Sequence, residues 1–236
     1  QDDFGNSALA PVGDSGHETV IVVDWERMGL GDPANTERIT LEAKLAQLAG
    51  HASVNGVIVD VSETVGGQPK YPQVFDSNNQ ADQFDEEDGS NTYYRLCPYG
   101  KNVVADAVKE VIDSYRVNNP VKYVVIVGND DVIPFYRIPD QALLGPEEDY
   151  VVPVDLDSSS EASLRNNYFL SQDGYGSTVK LAMNNNSLPL PNISIGRLVE
   201  SPAQIINMID AYLELPVLQP QDALITAYDF LTDNGL

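Results

Sequence analysis

The sequence predicts an α/β fold built on a mainly parallel sheet, and three observations carry that prediction. Residues 18–24 (ETVIVVD), 54–61 (VNGVIVDV) and 123–127 (YVVIV) are apolar without polar alternation, the pattern of strands covered on both faces. Stretches with helical spacing separate them, and a strand–helix–strand order calls for right-handed crossovers and parallel pairing. At 236 residues, the chain is long enough for one large α/β domain or two small ones, with a substantial core.

Residues 1–17 are too polar and glycine-rich to nucleate structure and are expected to be a linker or a processed N-terminus. The first strand follows at 18–24. Asn35 or Thr36 caps a helix whose apolar positions, Ile39, Leu41, Leu45 and Leu48, repeat at helical spacing up to a stop at Gly50. His51 lies just beyond, at the helix end. The second strand occupies 54–61.

From 62 to 100 the periodicity disappears and Gly, Pro, Asn, Asp and Tyr accumulate, so a long insertion is expected there. Its centre, DSNNQADQFDEEDGSN (76–91), has the composition of a loose calcium loop without the ordered ligand spacing, and reads more simply as a solvated acidic loop. A clear amphipathic helix occupies 101–116. Val104, Ala107, Val108, Val111, Ile112 and Tyr115 form its apolar stripe, and Asp106, Lys109, Glu110 and Asp113 the opposite face.

The strand at 123–127 ends at Gly128 and runs into Asn129, Asp130 and Asp131. Loops at the carboxyl ends of parallel strands are where α/β proteins bind ligands; the plainer reading is a polar turn made of residues that favour turns. Further on, short strands are expected at 150–154 and 178–182, with a polar aromatic bend at 166–176 between them. There Asp173, Gly174 and Gly176 suit a tight turn, or alternatively a cation site at Asp173. Residues 193–196 form another strand end, with Arg197 at its tip. Ser201, Pro202 and Gln204 spell a capped helix start. Ile205, Ile206, Met208, Ile209, Tyr212 and Leu213 are its expected packed face. A last strand, ALITAY (223–228), ends in Asp229.

Composition narrows the function. Lys and Arg number 13 against 36 Asp and Glu, a formal charge of −23, which argues against a nucleic-acid backbone or an anionic membrane surface as partner. The acidity suits a highly soluble exposed protein, a cation-binding surface or a salt-adapted proteome. The single cysteine, Cys97, excludes an internal disulfide framework and a cysteine-rich zinc site, and reads as a packing residue rather than the partner of His17 or His51 in a catalytic pair. No stretch approaches the roughly 20 apolar residues of a membrane span.

Three features in order, 123–134 (YVVIVGNDDVIP), 191–198 (PNISIGRL) and the helix at 201–213, resemble the gingipain-like, caspase-related cysteine peptidases. Members of that family carry a strand ending in VGD or IGD, two residues and IP, then a tyrosine-rich segment, a strand ending IGR or VGR, a helix ending in Tyr, and a strand that begins a second subdomain. Asn129 stands here where the family has an aspartate.

The resemblance implies a three-layer caspase-like α/β subdomain at 18–215 and the start of a second, incomplete subdomain at 216–236. It implies further that this chain forms the sheet and one wall of a peptide cleft and is inactive alone. The nucleophilic cysteine and its histidine then belong to a further segment, either the remainder of the same protein or a second processed chain. Asp229 falls near the position of an acidic residue that would orient that histidine, or is simply a carboxylate at a strand end. No cofactor is required; calcium is the cation the acidic loops and the resemblance suggest. An extracellular or cell-surface location, with a peptide or protein substrate, follows from the same resemblance. The contrasting expectation is a catalytically inactive caspase-like module serving structure or interaction in a large surface protein.

Overall fold

The computed structural model describes residues 9–83, 98–142, 145–149, 153–154, 158–183 and 186–216. In chain order its elements are β1 (Thr19–Val23), α1 (Thr36–Gly50), β2 (Gly56–Asp60), β3 (Thr64–Val65), β4 (Gln68–Pro69), α2 (Pro72–Gln83), α3 (Pro98–Arg116), β5 (Tyr123–Val127) and β6 (Tyr136–Pro139). After these come α4 (Ser159–Arg165), β7 (Tyr168–Ser171), α5 (Asp173–Gly176), β8 (Ser177–Met183), β9 (Asn186–Pro191), β10 (Ser194–Leu198) and α6 (Pro202–Glu214).

The central sheet is four-stranded in the order β10-β5-β1-β2, and every pairing in it is parallel. Because side chains alternate along a strand, β1 divides its residues between two cores. Val20 and Val22 join Val124 and Ile126 beneath the α3 stripe of Val104, Val108, Val111 and Ile112. Ile21 and Val23 face the other way, onto Leu41, Leu45 and Leu48 of α1 and Ile205 and Ile209 of α6. Helices therefore flank the sheet on both faces, as the continuous apolar runs require. Each of those buried Val and Ile side chains stabilises the fold by about 1.5–3 kcal/mol relative to exposure.

The predicted caps form as their residue types dictate. Asn35 Oδ1 accepts from the N–H groups of Glu37 and Arg38, at 2.8 and 3.3 Å. At α6 the full capping box is present, with Ser201 and Gln204 each bonded to the other's backbone and Pro202 opening the helix.

Several expectations are corrected. The insertion is not structureless: it begins with the β3–β4 hairpin and continues into α2, which packs on α3. Tyr71, Val74 and Ala81 lie on one side of that segment and are buried. They are few and small among Asn, Asp and Gln, so their spacing is faint in the sequence. Residues 76–83, the first half of the supposed calcium loop, are helical, and the other half lies outside the described residues.

Likewise, the polar stretches on either side of residue 150 contain β6, β7 and α4. Ser158 caps α4 by accepting from the Glu161 N–H at 3.1 Å, and NNYFLS supplies strand β7 rather than a bend. The predicted strand at 178–182 lies within β8, whose partner is the proline-bearing β9. Pro153 and Val154 are not in a strand, and 150–152 lie outside the described residues. Ile39 and Met208, expected to pack, are 52% and 42% exposed. Residues 9–17 form no helix or strand, yet Val12 N–H donates to Ser114 O at 2.8 Å, and Ser15 donates to Asn119 Oδ1. Among the described residues no helix is long and apolar enough to cross a membrane.

Candidate functional site

In this strand order the chain first moves from β1 to β2, then returns past β1 to β5 and on to β10. The reversal falls between β1 and β5, and the crevice beyond the carboxyl ends of those two strands is the favoured ligand position of an open parallel sheet. Arg27, following β1, spans it by donating from Nε to the Asp131 carbonyl at 3.0 Å. A cleft lies on each side of this tie.

The β5 side is built by the GNDD loop. Gly128 has φ +108°, and a β-carbon there would lie 2.7 Å from Val132 side-chain atoms, so the turn requires glycine. Asn129 Oδ1 then accepts from the N–H groups of Asp131 and Val132, at 3.1 and 3.3 Å. Asp130 is buried and takes both terminal nitrogens of Arg137, at 2.7 and 2.5 Å. It also accepts from Phe135 N–H at 2.7 Å and Ser160 Oγ at 2.5 Å. Burial acts to raise the pKa of Asp130, but the Arg137 charge and these hydrogen bonds outweigh it and hold the carboxyl below its usual range.

Arg197, from β10, completes the loop. Its Nη1 donates to the carbonyls of Gly128, Asn129 and Ile133, at 2.8, 3.1 and 2.8 Å, and its guanidinium lies 4.1 Å from the Phe135 ring centre. The cleft beside it, of about 460 Å³, is lined by Asn129, Asp130, Phe135, Ser160, Leu170 and Glu200 among others.

On the β1–β2 side, a cleft of about 340 Å³ is lined by Asp24, Arg27, Ser62, Phe75 and Asn78 among others. Asp24, at the carboxyl end of β1, is 2% exposed. Its Oδ1 accepts from the Arg27 N–H at 2.9 Å. Burial is the largest influence on it and, with Asp60 and Glu26 nearby, pushes its pKa up to about 6. Two buried carboxylates thus stand on either side of the switch point, one held ionised and one titrating near neutrality.

The residues singled out from sequence divide accordingly. Asn129, Asp130 and Asp131 do sit at the crevice. Asp173 does not: it opens α5 with its N–H on Ser171 Oγ at 3.1 Å and borders Lys122 and Tyr123 at the amino end of β5. Its neighbours Gly174 and Gly176 make close contacts, against the Tyr136 ring and against Ile193 and Ile195. Among the described residues no three His, Cys, Asp or Glu side chains converge to hold a metal ion. His51 follows α1 and precedes β2, its ring edge-on to Tyr212 at 5.8 Å, and His17 precedes β1, so both lie at the edge of the sheet opposite the crevice. Cys97 and Asp229 lie outside the described residues.

The roles of Asp24, Arg137 and the Arg197 clasp were not read from sequence. Arg137 had a usable signal: an arginine inside PFYRIP is covered on both sides by apolar residues and must find a carboxylate. No protein-family profile, curated protein or solved structure matches the chain.

Proposed function

We propose that this chain is the N-terminal, non-catalytic portion of a gingipain-like, caspase-related cysteine peptidase, forming the sheet and one wall of a peptide cleft. The observation that supports it is the meeting of the two quoted motifs: Arg197 of the PNISIGRL strand clasps three carbonyls of the GNDDVIP loop, at the edge of the sheet where parallel folds bind ligands. A thiol nucleophile needs an imidazole beside it and a group to orient that imidazole. In this reading the cysteine and histidine come from a further segment or a second processed chain, with Asp229 as the orienting carboxylate. Such a protein acts on peptides outside the cell or at its surface. The caspase-like assignment of the fold belongs to the same proposal.

One observation favours a second reading, an inactive caspase-like module used for structure or interaction. The polar side chains of the GNDD loop are engaged in holding the loop itself: Asn129 Oδ1 on backbone N–H groups and Asp130 on Arg137. Intact mass and peptide mapping of native material, with a thiol-directed peptidyl probe, separate the two. An associated polypeptide or continuation bearing a labelled cysteine supports the peptidase, and native material without one refutes it in favour of the scaffold.

A further inference from the structure

We propose that the cleft at the carboxyl ends of β5 and β10 binds a carboxylate, gripped by the unused side-on edge of the Arg197 guanidinium. The proposal does not depend on the peptidase reading. A guanidinium presents five N–H groups in a fixed fork, and its Nε–H and Nη2–H run parallel along one edge at the spacing of the two oxygens of a carboxylate. In Arg197 the Nη1 side is engaged by three carbonyls, whereas Nε and Nη2 are buried and have no partner. Buried polar groups are nearly always satisfied, by protein, water or ligand. The orphaned pair is the pair that a carboxylate would take.

Charge gives an independent reason. Asp130 is the buried carboxylate of this cleft, and it is committed to Arg137 through a bidentate ion pair in which the Arg137 side chain is fully covered. Arg197 makes no ion pair among the described residues. Two guanidinium groups therefore share one buried carboxylate, and the other acids of the cleft, Asp131 and Glu200, are exposed to solvent. Burial presses the Arg197 pKa down, against the opposing influence of Tyr175, Asp130 and Glu200. The three carbonyls and the Phe135 ring fix the guanidinium before any ligand arrives, so little side-chain freedom is lost on binding.

Two exposed carboxylates, Asp131 and Glu200, stand at the rim, and Asn129 Nδ2 donates to Glu200 at 3.3 Å. Glu200 is thus a tethered competitor that weakens capture of a free acid, and removing its charge strengthens it. The alternative occupant of the orphaned edge is a trapped water.

The test uses the ¹⁵N-labelled chain. The Arg197 Nε–Hε resonance, assigned by its loss in Arg197→Lys, is followed while sodium acetate replaces sodium chloride at constant ionic strength. A saturable movement is expected in the parent chain, with several-fold tighter apparent affinity in Glu200→Gln. If Arg197→Lys fails to fold, the assignment rests on the resonance displaced by Glu200→Gln, a surface change. An unmoved resonance, or a drift identical with chloride, means a trapped water only and overturns the proposal. Two peptides then identify the source, one with a free C-terminal carboxylate and one amidated at its end but bearing an internal glutamate. Binding of either supports the site and says which carboxylate it reads. Binding of acetate with neither peptide keeps the site but removes support from the peptide-cleft reading.

Discussion

Replacing Asp130 by Ala should be among the most damaging single changes available in this chain. The substitution leaves the Arg137 guanidinium, 1% exposed, without its counter-charge. The Phe135 N–H and the Ser160 hydroxyl lose their acceptor as well. Arg137 keeps the Phe135 carbonyl at 2.6 Å and the hydroxyls of Ser163 and Ser159, each at 3.2 Å, none of which carries charge. Removing one partner of a buried ion pair costs about 3–5 kcal/mol, a large share of the roughly 5–15 kcal/mol that holds a domain folded. At about 2–4 °C per kcal/mol for a chain of this size, the melting temperature should fall by about 6–20 °C.

The assay is urea unfolding followed by circular dichroism, with Asp131→Ala as the exposed neighbour, expected to lie within about 0.5 kcal/mol of the parent. The double variant Asp130→Leu/Arg137→Met should recover most of the loss, because no charge is then buried. Acid should erase the difference from the parent. The folded pKa of Asp130 is depressed, so its stabilisation is fully present above the unfolded carboxylate pKa of about 3.9 and is lost as pH falls through the folded value. An Asp130→Ala cost below about 1 kcal/mol, or equal to that of Asp131→Ala, would refute the assignment of this pair as the anchor of the β5 loop.

Asp24 should behave in the opposite sense. Its folded pKa is raised to about 6, so its favourable contribution, as the protonated acid, is complete below the unfolded value and disappears as pH rises through 6. Asp24→Asn should therefore leave stability unchanged in acid and raise it above pH 6, by up to about 3 kcal/mol at 1.4 kcal/mol per pH unit; a melting profile against pH that shows the same offset at every pH would contradict this. Gly128→Ala should lose about 2 kcal/mol or more, combining a positive φ with contact against Val132. Pairing it with Val132→Ala should relieve only the contact part, which the same unfolding curves measure.

The parts of the fold legible in the sequence are those in which the apolar period repeats over many residues. The strand runs at β1, β2 and β5, the α3 stripe and the α6 capping box all declare themselves locally. What the sequence conceals is paired at a distance or carried by few side chains. The β6 strand needs β7, some 30 residues away, to become a strand at all, and both sequences read locally as punctuated loops. Among the described side chains of α2, Val74, Ser77 and Ala81 are the buried ones, too little to outweigh the polar composition around them. The candidate site was half visible. The loop after β5 could be placed from the strand pattern alone, but Arg197 reaches it across roughly 70 residues of chain, and that contact exists only because β5 and β10 are parallel neighbours.

The same topology explains why the two carboxylates at the switch point differ. Asp24 and Asp130 both follow strands of the sheet and both are buried; by desolvation alone both would be pushed toward neutrality. Asp130 has a guanidinium bonded to its carboxylate, because the chain turns back after Ile133 and Pro134 and brings Arg137 onto it within seven residues, whereas the Arg27 charge offsets the burial of Asp24 only in part. Asp24 has the backbone N–H of Arg27 instead, while the Arg27 side chain reaches across the crevice to Asp131 O. One carboxylate is thus fixed as an anion that organises a loop, and the other is left free to change protonation near pH 6. Groups whose environments separate their pKa values in this way mark positions where a fold can hold different charges side by side. In this chain the fixed pair defines the wall on which Arg197 is mounted, and the titrating acid faces the neighbouring cleft. A ligand spanning both clefts would therefore meet a cationic grip on one side of Arg27 and a pH-dependent acid on the other.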